Sequence, residues 1–293
     1  FMGYEAGKGG TTSAPYSSGG NNTALGYQAL KGFTTGNNNT ALGYNAATAL
    51  TSGFNNIVIG VDAGSVMTDV DSTVLIGANA GDAINSSDAD GTVAIGYQAG
   101  TSITSGQRQT FLGYQAGYST TTGDENVFIG YQAGYGNVDN LGNIYIGKQA
   151  AYNIGDGSYN VAIGEEAMKS TGTAANNHAN YNVAVGNQAG YGLTTGDYNV
   201  FLGSRAGYAS TTVQGNIAIG YNSMQVHTTG VRNIAIGTYA MDDTNAGSTS
   251  LGSTDNIFMG YDAGGGTWTD AATNGNVGIG SYALDAAMDG ALY

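Results

Sequence analysis

The feature that most constrains this chain is a repeat that runs through all 293 residues. Its densest form is Asn126-Val127-Phe128-Ile129-Gly130-Tyr131-Gln132-Ala133-Gly134-Tyr135. Copies can be indexed by the central glycine: Gly3, Gly26, Gly43, Gly60, Gly77, Gly96, Gly113, Gly130, Gly147, Gly164, Gly186, Gly203, Gly220, Gly237, Gly260 and Gly280. The 16 copies leave 15 intervals; ten are 17 residues long, the other five are longer and none is shorter. A fixed minimum period with occasional insertions describes one structural rung plus optional surface loops. Two short strands and two turns fit in such a rung, whereas a βαβ crossover does not.

Positions are given relative to the central glycine. Val, Ile or Thr at −3 and Ile, Leu, Val or Met at −1 favour strand. Ala stands at +3 in 15 of 16 copies, Ser223 being the exception. Large apolar groups alternate between +5 and +7, as in Tyr118 over Thr120 and Thr101 before Ile103. That alternation predicts a second strand with one interior slot. Thr at +8 and Gly at +10, as in Thr121 and Gly123, predict a tight turn with φ > 0. The expected fold is all-β, a parallel β-solenoid or β-roll with two short strands per rung. It forms a single repeat domain over residues 1–293 of about 16 rungs, an internal fragment of a longer fibre.

If −3 and −1 face the interior, −2 faces out. That position holds Ala, Phe, Val, Leu, Tyr or Gly and no charge in 15 copies. A strand apolar on both faces is buried on both faces, and an exposed stripe of this length exceeds what soluble monomers carry. The expectation is a parallel homotrimer whose interface contains Phe111, Phe128, Tyr145, Phe201 and Phe258, with two further copies of the chain as partners. The alternation by itself leaves a dimer open. At −4, Asn occurs in 12 of 15 copies. Asn126, Asn143, Asn160, Asn199, Asn216 and Asn233 are expected to form a hydrogen-bonded structural ladder up the stack.

The string Asn-Val-Ala-Ile-Gly-x-x-Ala, at Asn160 to Ala167 and in close form at Asn216 to Ser223, resembles the head repeats of YadA-like trimeric autotransporter adhesins. Thr-Ala-Leu-Gly-Tyr-Gln-Ala-Leu, residues 23–30, is similar to the shaft repeats of phage tail fibres. The resemblance implies a left-handed β-roll trimer. The longer period and the Tyr- and Thr-Thr-Gly-rich second half of the rung depart from the adhesin pattern and favour the viral fibre. The expected function is a structural and attachment fibre that presents a host receptor- or glycan-binding region outside the cell. The alternatives are the head of a bacterial adhesin, a carbohydrate-active tailspike, or an ice-binding solenoid built on the Thr row.

Chemistry is sparse. Without Cys, disulfides and thiolate metal sites are excluded. Seven basic against 21 acidic residues disfavour a nucleic-acid partner. No apolar run is long enough for membrane insertion as a helix. Glu165 and Glu166 are adjacent, so in a strand they face opposite sides and do not form an acid pair. His178 and His227 lie in different rungs. The expectation is a non-enzyme with no cofactor; Asp69/Asp71, Asp88/Asp90 and Asp242/Asp243 are the candidates for Ca²⁺. The +1 tyrosines Tyr27, Tyr44, Tyr97, Tyr114, Tyr131, Tyr221 and Tyr261 are candidates for sugar stacking, with rung packing the commoner use. Insertions map to surface loops. Trp268, in residues 265–275, and His178, in residues 170–180, are therefore the candidates for receptor contact.

Overall fold

The computed structural model describes residues 1–10, 17–173, 176–243, 252–266, 268 and 273–286. It forms two compact units, residues 1–143 and 144–293. Each is an all-β parallel solenoid. In the first, the strands in order are β1 (Thr23–Leu25), β2 (Thr40–Leu42), β3 (Ile57–Ile59), β4 (Val74–Ile76), β5 (Val93–Ile95), β6 (Thr110–Leu112) and β7 (Val127–Ile129). In the second they are β8 (Ile144–Ile146), β9 (Val161–Ile163), β10 (Val183–Val185), β11 (Val200–Leu202), β12 (Ile217–Ile219), β13 (Ile234–Ile236), β14 (Ile257–Met259) and β15 (Val277–Ile279). Within each unit, sequence neighbours pair in parallel and equivalent positions stack, as in Phe111↔Phe128 and Ala218↔Ala235.

Each described rung has one strand, where two were expected. The segment after the central glycine is a run of turns with left-handed backbone at +2 and +4, for example Gln28 at φ 53° and Leu30 at φ 51°. Its amides bond to neighbouring rungs in alternation: Asn45 N–H donates down to Tyr27 O and Ala47 N–H up to Ala63 O. This satisfies the backbone without extended strand. The central glycine is obligatory for a steric reason as well as for its φ. A Cβ on Gly113 would lie 2.3 Å from the carbonyl oxygen of Gly130. At +10 the φ > 0 expectation fails: Gly36 has no positive φ, and a Cβ there would lie 2.5 Å from Gly53 O. Close approach of rungs, not turn handedness, selects glycine at that position.

The inward and outward faces of the strand are the reverse of those expected. The −2 residue of every strand from β1 to β15 is buried, and every −3 and −1 residue is at least partly exposed. Phe111, Phe128, Tyr145, Phe201 and Phe258, expected at a chain–chain interface, are fully buried inside their own chain. The expected +5/+7 slot is also corrected. In the 17-residue rungs position +7 is inside, while +5 lies on the surface and +4 takes its place in the core.

Three core positions, −2, +4 and +7, share one volume in each of the ten 17-residue rungs. Phe111 goes with Gly117 and Thr120, Phe128 with Gly134 and Asn137, and Phe201 with Gly207 and Ser210. Where −2 is Ala, the others enlarge: Ala24 goes with Leu30 and Phe33, and Ala218 with Met224 and His227. Native packing density demands such compensation. Phe111 and Phe128 stack at 4.9 Å with an 8° interplanar angle.

A ladder of amides lies along one edge of each core. Asn199 Nδ2 donates to Asn182 Oδ1 and to Val213 O, and its Oδ1 accepts from Asn216 N–H. In the same way Asn143 N–H donates to Asn126 Oδ1, Asn182 N–H to Asn160 Oδ1 and Asn233 N–H to Asn216 Oδ1. Each amide ties the start of its strand to the turn that follows and to the next rung. The ladder weakens at Thr92, whose buried Oγ1 has no partner.

Candidate functional site

Five surfaces of the solenoid are candidates. The first is the outer face of the sheets. Its −1 column is Leu25, Leu42, Ile59, Ile76, Ile95, Leu112 and Ile129 in the first unit. In the second it is Ile146, Ile163, Val185, Leu202, Ile219, Ile236, Met259 and Ile279. The −3 column beside it is Ile or Val in 12 of 15 strands and Thr in the rest. Leu25 is 43% and Leu112 44% exposed. Scattered exposed leucines are ordinary, whereas a continuous charge-free face two columns wide is a mark of an interaction surface.

The second surface is the Thr turn. Five of the +8 hydroxyls bond the neighbouring rung's carbonyl, as Thr34 Oγ1 to Thr51 O, Thr51 to Thr68 O and Thr194 to Thr211 O; Thr68 and Thr121 donate to Asp69 and Asp139, and the buried Thr228 Oγ1 has no partner among the described residues. The same carbonyl of Thr51 accepts the amides of Thr34, Thr35 and Gly36. Turn closure therefore accounts for most of the threonines.

Beside it runs a second Asx ladder, at −6, that the sequence reading missed. Asp71 Oδ1 accepts from Phe54 N–H, Asp90 Oδ1 from Asp71 N–H, Asp124 Oδ1 from Gln107 N–H, and Asp197 Oδ1 from Asn180 N–H. Two of the carboxylates proposed for Ca²⁺, Asp71 and Asp90, are thus engaged with backbone. Burial raises the Asp71 carboxyl above its usual range, the neighbouring Asp90 and Asp69 adding to it. Among the described residues no group of three or more His, Asp or Glu is placed to hold a metal. The signal for this ladder is Asp or Asn at −6, but it is present in only 7 of 15 copies and is broken by residues such as Phe54, Gln107, Leu141 and Val231.

The tyrosines form the fourth surface. Tyr27 and Tyr44 stack at 5.0 Å, and Tyr97, Tyr114 and Tyr131 at 5.2 and 5.3 Å. Their ring faces cover one another and leave edges to solvent, which removes the faces a sugar would use. Tyr221 and Tyr261 instead meet Tyr239 edge-on. A separate ladder stands at −5, where Tyr159, Tyr181 and Tyr198 stack at 5.2 and 5.1 Å.

The insertions are the fifth. Trp268 is not a surface contact: it is fully buried, its Nε1–H donates to Gly264 O, and its ring meets Phe258 edge-on at 5.7 Å. It fills the space beside the glycine that accommodates Phe258, as burial of a large aromatic with a satisfied N–H requires. Residues 267 and 269–272 of that insertion lie outside the described residues. His178 is exposed, with Nδ1 4.0 Å from Asp156 Oδ2. Trp268 and His178 stand in different rungs, so they do not build one site.

Charge is arranged in pairs. Lys8 and Lys31 both bond Glu5, Arg108 bonds Glu125, Lys148 bonds Glu165, Lys169 bonds Glu166 and Arg232 bonds Asp255. The lysines hold the Glu5 carboxyl down to about 2. Arg205 lies over the Tyr208 ring at 4.4 Å. Glu165 and Glu166 are thus bonded to different lysines. Two titratable groups stand out in the second unit. Burial holds His227 down to about 4, and burial with Asp262 and Asp243 nearby raises Asp242 to about 6. No protein-family model, curated protein or solved structure matches the chain.

Proposed function

We propose that the chain is a shaft or head segment of an extracellular attachment fibre, in which identical chains pack side by side through the outer sheet face. A homotrimer is the assembly that closes such a face around an axis. The observation that carries this reading is the pair of aliphatic columns at −3 and −1, uncharged in every strand and half-exposed in the single chain. The repeat resemblance favours a viral tail fibre, and a bacterial adhesin head is the second reading on the same surface. The role is mechanical and adhesive rather than catalytic, since the carboxylates described above are held by lysines, arginines and backbone amides.

The test is a charge on the outer face. Ile219→Asp and Leu112→Asp should release folded monomers, because a carboxylate buried between copies costs several kcal/mol. Thr212→Asp, in the exposed turn, should leave the assembly intact. Equal behaviour of all three variants would contradict the assignment of the outer face.

A further inference from the structure

The −5 ladder of tyrosines stops abruptly. Tyr159, Tyr181 and Tyr198 occupy this position in three consecutive rungs, and the next two rungs carry Gly215 and then Arg232. Tyr181 and Tyr198 are parallel within 3°, so one face of Tyr198 is covered and the other looks along the ladder toward Gly215. Gly215 has no side chain to meet it. A Cβ placed there would find one atom within 4 Å among the described residues, Cγ of Arg232 at 3.7 Å. Tyr198 accordingly is 57% exposed, the most open of the three rings.

The gap has a floor and a roof. Its floor is the Tyr198 ring. The roof is the stem of Arg232, whose guanidinium is pinned by Nε and Nη2 to the two carboxylate oxygens of Asp255 at 2.6 and 2.8 Å. Two rung steps of about 4.8 Å separate floor and roof, which leaves room for one ring of ordinary thickness between them. We propose that this slot over Gly215 binds a single pyranose ring of a surface glycan, its C–H face on Tyr198 and its hydroxyls toward the rim.

A sugar fits the slot better than an aromatic group does. The rim is polar: Gln214 is exposed on the same rung as Gly215, and the Arg232–Asp255 pair closes the far side. A pyranose offers an apolar face to the ring and hydroxyls to those groups, the combination that defines small-ligand sites of mixed polarity. An aromatic ring would remove water from the rim without replacing its hydrogen bonds. Gly215, at φ 66°, shares the left-handed backbone of the three tyrosines, at φ 56–60°, a geometry common to the −5 position of the other rungs. The chain holds its own control in the first unit. There Ser72, Gly91, Arg108 and Glu125 repeat the Gly–Arg–carboxylate arrangement at −5, without an aromatic floor.

The proposal gives the attachment reading a ligand class and rests on that reading only for its biological use; binding to the isolated protein tests the slot alone. Saturation-transfer NMR would be recorded with glucose, galactose, mannose, N-acetylglucosamine and p-cresol. Saturation of ring C–H protons is expected for at least one sugar. Tyr198→Ala should weaken that binding about tenfold, the scale of one lost aromatic contact. Gly215→Tyr continues the ladder into the gap in a backbone geometry that three tyrosines already adopt, and should abolish binding with the fold intact. Gly215→Asn, the residue found at Asn21, Asn38 and Asn55, serves as the milder filler. Gly91→Asn should change nothing. Silence from all four sugars, a response from p-cresol alone, or sugar binding that survives both Gly215 substitutions would overturn the proposal.

Discussion

A Cβ on Gly134 would stand 2.5 Å from Cδ2 of Phe128. The two residues are six apart in sequence and belong to one rung, and the phenyl ring occupies the volume a side chain at +4 would need. The same relation holds between Gly117 and Phe111 and between Gly207 and Phe201, each at 2.5 Å. Where −2 is Ala, the bulk comes from +4, as Leu30, Met168, Met224 or Met241, or from +7, as Leu50, Ile103 or Leu193 beside a small +4 residue. One core volume is thus filled from either side, rung by rung.

This yields a swap experiment. Phe128→Ala alone should cost about 3–5 kcal/mol by leaving a cavity. Gly134→Met alone should cost about 1–3 kcal/mol or more by overpacking. Combined, they recreate the arrangement of Ala218 with Met224 and should cost less than the sum of the two. Urea denaturation of the three variants measures this coupling. Additive losses would show that the two residues do not share a volume.

The amide ladder predicts a stabilising change. Thr92 stands between Thr73 and Gln109, where the column departs from asparagine, and leaves a buried hydroxyl without a partner. Thr92→Asn restores the acceptor and donors that Asn39, Asn56 and Asn126 supply elsewhere. It should raise stability by about 1 kcal/mol, the net worth of an added buried hydrogen bond. Asn199→Ala, which strands Asn216 N–H and Val213 O, should lower it by about 2–4 kcal/mol. A melting temperature unchanged in both would remove the ladder from the account.

Two groups in the second unit predict opposite pH responses. Burial holds His227 neutral, with its folded value near 4 against 6.5 unfolded. The unfolded chain binds the proton first, so this contribution is intact above pH 6.5 and lost as pH falls toward 4. Asp242 is raised to about 6 from 3.8, so the folded state binds the proton first. Its contribution is present below pH 3.8 and lost as pH rises through 6. His227→Gln should flatten the acid loss, and Asp242→Asn should remove the loss on rising pH. Denaturation midpoints followed across this range separate the two. A wild-type profile reproduced by both variants would contradict these environments.

Much of this architecture is legible in the sequence, and the errors have definite physical causes. The rung period, the central glycine and the −4 amide column follow from residues that admit few alternatives at their positions. The inward direction of −2 does not, because −3, −2 and −1 are all apolar and a three-residue strand gives no polar contrast. The decisive signal is the compensation among −2, +4 and +7, Phe with Gly at +4 and Ala with a large residue at +4 or +7, which requires all three to face one core. The second strand was misread because left-handed Gln28 and Leu30 carry no marker such as glycine. Trp268 was read as a surface contact because it lies in an insertion, yet its size fits the space over Gly264 and beside Phe258. The slot at Gly215 needs the stacking of Tyr181 on Tyr198, and spacing alone does not reveal that.

Sedimentation equilibrium of the unaltered chain tests the central claim most directly. The outer face predicts a mass three times 29.5 kDa that persists on dilution, since the aliphatic columns at −3 and −1 are then covered by other copies. A single 29.5 kDa species that keeps its fold, with Leu25, Leu112 and Ile219 open to solvent, would contradict it.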